Sequence, residues 1–121
     1  MSVQKEKSEN PIVTKSFDLA VEVVAFSSKL KSEKHFDLSS QLFRSGTSIG
    51  ANVREAQGAE SKADFIHKLK VAFKESEELE YWLELCEHAE ALPNPTNEIL
   101  SLLEEVRKLL SSIISSTKRR L

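Results

Sequence analysis

The sequence predicts an all-α fold, an antiparallel up-down-up-down four-helix bundle, and three observations carry that expectation. Apolar residues recur every three or four positions along four long stretches. Glycine and proline number only three each in 121 residues. The stretches are joined by short connections, which favour antiparallel neighbours. Hydrophobic residues make up 40% of the chain, enough for one core in one domain of this length. The expected boundaries are a disordered N-terminal arm over 1–10, the bundle over 11–117 and a basic C-terminal tail over 118–121.

The first helix starts near Pro11, a residue suited to a first helical turn, and runs to about Lys31. Val13, Phe17, Ala20 and Val24 form the stripe expected to be buried. A second apolar set, Ile12, Leu19, Val23, Phe26 and Leu30, lies about 110° around the same helix. The second helix begins between Phe36 and Ser39 and ends at Gln57, with Gly58 as its stop. Its stripe is Leu42, Gly46, Ile49, Val53 and Ala56. The run Ser45-Gly46-Thr47-Ser48-Ile49-Gly50-Ala51 is poor in helix formers, but the stripe passes through it in phase, and small side chains there let a neighbouring helix approach closely.

The third helix is expected from Ser61 to about Leu92. Ser61 and Asp64 resemble a capping box, with Asp in place of Glu or Gln. Phe65, Leu69, Ala72, Ser76, Leu79, Leu83 and Cys86 share its inner face. Pro93-Asn94-Pro95 forces a turn, and Thr96 caps a fourth helix with the stripe Ile99, Leu103, Val106, Leu110 and Ile113.

The helices carry more apolar surface than a monomeric bundle needs. Besides the second set on helix one, Val71, Trp82 and Leu85 fall together on helix three, interleaved with Lys68, Glu75 and Glu78. Helix two presents Arg44, Ser48, Asn52 and Glu55 in one narrow arc. Arg44 lies within reach of Glu55, Glu75 or Glu78, with Asn52 in the same network. Apolar anchors mixed with paired charges are the composition of an interface, so the expectation is self-association that buries Trp82 and the second stripe of helix one.

Catalytic and metal chemistry find no support in the sequence. His35, His67 and His88 lack the Glu-x-x-His pairs of a di-iron bundle; Glu84 and His88 are four apart and project away from the core stripe. Cys86 sits on a core stripe without a histidine partner, so a nucleophilic role is not indicated. Glycines are too few for a phosphate loop. The glutamates from Glu75 to Glu90 spread around the outside of a helix and do not converge. The expectation is therefore a non-enzyme without cofactor, metal or small-molecule substrate. A single cysteine permits no internal disulfide and points to a reducing compartment. The N-terminus lacks the apolar core of a signal peptide, and no apolar run approaches the roughly 20 residues of a membrane span. A cytoplasmic location follows as an expectation.

The formal net charge of -2 gives no global positive field to attract nucleic acid, so any such binding needs a local patch. Helix three is basic in its first half, through Lys62, Lys68, Lys70 and Lys74, and acidic from Glu75 onward. That order opposes the helix macrodipole, an effect worth from tenths of a kcal/mol to about 1 kcal/mol at each end. Helix stability therefore does not explain it. In an antiparallel bundle, Lys62, Lys68 and Lys70 fall at the same end as Lys118, Arg119 and Arg120, which makes that end the candidate phosphate-binding surface.

The stretch Phe43-Arg44-Ser45-Gly46-Thr47-Ser48-Ile49-Gly50-Ala51-Asn52-Val53-Arg54-Glu55-Ala56 resembles the signature of the four-helix-bundle proteins encoded in 23S rRNA intervening sequences, a family also labelled S23 ribosomal protein. The likeness continues through Ser61 to Leu69, Lys74 to Glu78 and Tyr81 to Leu85. The family is similar in fold to the accessory protein of diversity-generating retroelements, a ring-like pentamer that binds nucleic acid and a reverse transcriptase. By that resemblance the chain is expected to be a homopentamer subunit with RNA or DNA as a partner. Its pI near 5.9 departs from the basic character expected of a nucleic-acid-binding relative. The alternative is a protein-interaction scaffold, in which the acidic outer face of helix three or the ring itself recruits a protein without nucleic acid.

Overall fold

The computed structural model describes residues 10–120. Four α-helices follow one another: α1 (Pro11–Ser32), α2 (Phe36–Gln57), α3 (Lys62–His88) and α4 (Asn97–Arg119). Each packs on its neighbours in sequence, and α4 closes the square against α1. The short turns make neighbours antiparallel, so the bundle runs up-down-up-down. The α1–α2 turn, the α3–α4 connection and His88 lie at one end, called the top. Asn10, the α2–α3 turn and the C-terminal residues of α4 lie at the bottom. The arm expected over 1–10 lies outside the described residues except for Asn10, whose side-chain amide donates to Gln57 Oε1 at 3.2 Å.

Helix ends follow local chemistry. The Ser61 hydroxyl accepts from the Asp64 N–H at 3.0 Å, and the Asp64 carboxylate accepts from the Glu60 N–H at 3.2 Å. The capping box is thus displaced by one residue on its return bond. Thr96 caps α4 by accepting from the Ile99 N–H at 3.2 Å; such caps contribute about 1 kcal/mol. Gly58 ends α2 at φ -105°, so its left-handed freedom is not used. Among the described residues it is Lys34, at φ 70°, that turns left-handed, between α1 and α2. Two expected bounds are corrected. α3 stops at His88, short of Leu92, because Ala89 turns extended and the chain must cross the top through Pro93 and Pro95, the latter buried. α4 continues through Arg119, so Lys118 and Arg119 sit on a helix and not in a tail.

The core corrects the first helix. Leu19, Val23 and Leu30 are fully buried, and Ile12 and Phe26 nearly so, whereas Phe17 is 38% and Val24 44% exposed. Ala20 is half-buried, and only Val13 of the expected stripe is in the core. The two sets are about equally apolar, and the choice falls to whichever faces both α2 and α4. The other stripes stand: Leu42, Ile49 and Val53 of α2, Leu69, Leu79, Leu83 and Cys86 of α3, and Val106 and Leu110 of α4 are all within 1% of full burial. Phe65 and Ile113 pack half-buried at the margin.

α1 and α2 approach closely through small residues. A Cβ on Gly46 would lie 2.5 Å from Val23 Cγ1, and one on Gly50 would lie 3.3 Å from the Ser16 carbonyl oxygen. The Ser39 hydroxyl donates to the Ser27 carbonyl across the same seam at 2.8 Å. The poor helix formers of α2 are therefore contact residues, and tertiary packing overrides their propensity.

Candidate functional site

The residues singled out on α2 and α3 form a clasp within one chain. Arg44 donates to both carboxylate oxygens of Glu75 at 3.3 Å and to Glu78 at 2.5 Å, and the Trp82 indole N–H donates to the same Glu78 oxygen at 3.2 Å. The guanidinium hydrogen bond, helped by Trp82, holds the Glu78 carboxyl below its ordinary range. Its folded pKa is lowered, so this pairing contributes in full above about pH 4.5 and is lost as pH falls through the folded value. Two expected members stand apart. Glu55 pairs with Lys68 at 2.9 Å and not with Arg44, and Asn52 donates back to the Ser48 carbonyl of its own helix at 2.9 Å. Trp82 is half-buried against the core, with Tyr81 edge-on at 5.1 Å.

The basic end is real but differently composed. Lys68 is neutralised by Glu55 and leaves the group. Lys62, Lys70, Lys118, Arg119 and Arg120 are exposed at the bottom, and none has an ion-pair partner among the described residues. Lys70 touches Lys118, and this contact, with Lys74 nearby, lowers its pKa. Two adjacent antiparallel helices thus present like charge to each other. Lys70→Glu is expected to turn this contact into an ion pair and raise Tm by roughly 1–3 °C. Thermal denaturation followed by circular dichroism checks it, and the gain should shrink as salt is added.

Above that end, the groove between α3 and α4 is acidic. Leu83, Leu100 and Leu103 form its floor, and Glu80, Glu84, Glu87 and Glu104 stand on its rim. Arg107 crosses it, donating to Glu80 at 2.6 Å, with its guanidinium carbon 5.0 Å from the Phe73 ring centroid. Lys108 pairs with Glu104 at 3.5 Å. Glu84 and Glu87 have no cation among the described residues.

The opposite side of the bundle carries an apolar face. Phe17, Val21 and Val24 of α1 lie beside Phe36 and Phe43 of α2, all between 38% and 57% exposed. Two shallow depressions run along this seam, one floored near Phe36 and Phe43 and one near Phe17 and Ala51. Phe17 and Val24 were visible in the sequence as a stripe, but α1 has two, and periodicity does not say which faces inward. Phe36 and Phe43 gave no such signal. The second stripe of α1, expected at an interface, is instead core, so the apolar surface that α1 can offer another copy is this face.

Cys86 is fully buried, and burial followed by nearby Glu87 pushes its thiol up to about 11. It is therefore a neutral core side chain at physiological pH. Among the described residues no group of three His, Cys, Asp or Glu has the geometry to hold a metal ion, and no helix is long and apolar enough to cross a membrane.

Comparison with known proteins adds two findings. Residues 8–112 match the model of the 23S rRNA-intervening sequence protein family. A crystal structure of a protein of unknown function from the S23 ribosomal protein family, from Bacteroides thetaiotaomicron VPI-5482, superposes with a TM-score of 0.78 at 47% identity. That likeness covers 85% of this chain and 97% of the other. No curated protein matches. With most of the bundle matched in sequence and its four-helix architecture matched in structure, the chain belongs to the 23S rRNA-intervening sequence protein family.

Proposed function

We propose that the chain is a non-enzymatic assembly subunit of the cytoplasm, which joins copies of itself through the α1/α2 face and offers its basic end to RNA or DNA. The observation that carries the reading is the row of exposed apolar side chains from Phe17 to Phe43. Contiguous aromatic and aliphatic surface of this kind is the composition of an interface core. A complementary surface exists on α3, where Tyr81 is 55% and Leu85 37% exposed. Contact between two different faces is heterologous, and such contacts close into a ring when the rotation from copy to copy completes a circle. A ring of five is the number that the family resemblance implies. Each subunit then contributes Lys62, Lys70, Lys118, Arg119 and Arg120 to a phosphate-facing rim.

Two measurements test the two halves. Val24→Glu should leave the helical content intact and reduce the mass measured by sedimentation at high salt. An unchanged mass removes the α1/α2 face from the assembly. Affinity for a fluorescent single-stranded RNA should fall steeply with salt, by about 0.7 log units per log unit of salt for each phosphate contact. The triple change Lys118→Glu, Arg119→Glu and Arg120→Glu should weaken it about tenfold or more. Binding indifferent to both salt and these changes would exclude the basic end.

A further inference from the structure

The charge order of α3 is unfavourable inside its own chain in two ways. It opposes the helix macrodipole, and it sets Lys70 against Lys118 of α4. Intrachain pairs take up Lys68, Glu75, Glu77, Glu78 and Glu80, but neither they nor helix stability account for Lys62, Lys70, Glu84 and Glu87.

The face formed by α3 and α4 offers an account. On the α3 stripe beside α4, Lys62 and Lys70 lie in the lower half and Glu77, Glu80, Glu84 and Glu87 in the upper half. On α4, Glu104 lies in the upper half and Lys118 in the lower. Near the middle of both helices lies one open depression, lined by Phe73, Arg107, Lys108, Ser111 and Ser112. Positions count out evenly from it. Lys62 is eleven residues before Phe73 and Glu84 eleven after (73 − 62 and 84 − 73). Glu104 is seven before Ser111 and Lys118 seven after (111 − 104 and 118 − 111). At about 1.5 Å per residue, opposite charges stand at matched heights of roughly 16 Å and 10 Å from the centre.

We infer that two copies of the chain pair through their α3/α4 faces, antiparallel, about a two-fold axis that crosses both helices at Phe73 and Ser111. The axis lies in the face, so α3 meets α3 and α4 meets α4 of the second copy. Lys62 then stands opposite Glu84 and Lys118 opposite Glu104, Lys70 falls within one residue of Glu77 (73 − 70 = 3 and 77 − 73 = 4), and the symmetry repeats each pair. The contact is isologous and closes at two copies. Half-buried Phe73 supplies an apolar centre, and the small Ser111 and Ser112 let the α4 helices approach. Lys62, Lys70, Lys118 and Glu84, which find no opposite charge among the described residues of their own chain, find one in the partner. Charge complementarity of this kind fixes register and excludes other partners. The face shares no residue with the α1/α2 surface. It does use Lys62, Lys70 and Lys118, so a phosphate backbone and a second copy exclude one another there.

A disulfide reports the register. On the inferred axis the two Ser111 residues face each other, within the Cα separation of about 4.4–6.8 Å that a disulfide spans. Two Ser101 residues would be roughly 30 Å apart. In nuclease-treated full-length protein under mild oxidation, Ser111→Cys should form a covalent dimer at least about tenfold faster than Ser101→Cys. Cys86 is buried and does not compete. Added to Ser111→Cys, the double changes Lys62→Glu/Lys70→Glu and Glu77→Lys/Glu84→Lys should each slow linking by about tenfold or more, and an equimolar mixture of the two should restore it. All four positions are exposed, so circular dichroism should show unchanged helix. Raising salt to about 0.5 M should slow the Ser111→Cys protein without any charge change. Val24→Glu should leave the rate as it was, which separates this contact from assembly through α1/α2. Equal rates at positions 111 and 101, or linking that ignores both salt and charge reversal, would overturn the pairing.

Discussion

Leu19→Ala lowers the unfolding free energy by about 3 kcal/mol, while Val24→Ala costs less than about 1 kcal/mol. Both residues are large, apolar and five positions apart on one helix, and composition does not tell them apart. Leu19 has no exposed surface and Val24 has 44%. Truncating Leu19 removes buried carbon and leaves a cavity inside a close-packed interior; truncating Val24 removes carbon that water already reaches. Urea denaturation of the two variants checks the difference through their midpoints at constant m. Similar costs would mean that the phase assigned to α1 is wrong, and with it the identity of the exposed face.

Gly46→Ala is expected to destabilise the bundle by up to about 2 kcal/mol. Alanine is favoured over glycine inside a helix by about 1 kcal/mol, but the new Cβ would meet the branched Val23 side chain at 2.5 Å, and overpacking costs about 1–3 kcal/mol. Gly50→Ala has the same propensity gain and a milder contact, 3.3 Å from the Ser16 carbonyl oxygen. Its net effect should lie near zero. Adding Val23→Ala to Gly46→Ala should return part of the loss, because the two sites share one contact and are not additive. If Gly46→Ala stabilises the protein as its propensity alone predicts, then α1 and α2 do not approach as described.

These variants also mark what the sequence made legible. The four helices, their order and the inner faces of α2, α3 and α4 follow from periodicity, because each of those helices has one dominant apolar stripe. α1 has two, and only its neighbours decide between them. The ends were legible where a side chain caps them, as at Ser61 and Thr96, and less so where the chain turns by packing, as after His88. In the candidate site, Arg44 with Glu75 and Glu78 was readable from helical spacing. The partners of Lys68 and Asn52 were not, since Lys68 pairs with Glu55 across the α2–α3 turn and Asn52 bonds a backbone carbonyl, which no side-chain pattern marks. The exposed pair Phe36 and Phe43 gave no signal, because an isolated phenylalanine reads the same whether it faces core or solvent. The reversed charge order of α3 was plain in the sequence, but the matching heights of Glu84, Lys62, Glu104 and Lys118 appear only once α3 and α4 are set side by side.

Assembly through the α1/α2 face is the claim on which the functional reading turns. Sedimentation equilibrium at about 0.5 M salt tests it most directly, because surface charge pairing is largely screened there and apolar contacts are not. The wild-type chain should sediment as a defined multiple of 13.6 kDa, and Val24→Glu as a folded species of lower mass. A wild-type mass of 13.6 kDa across the micromolar range would contradict the account.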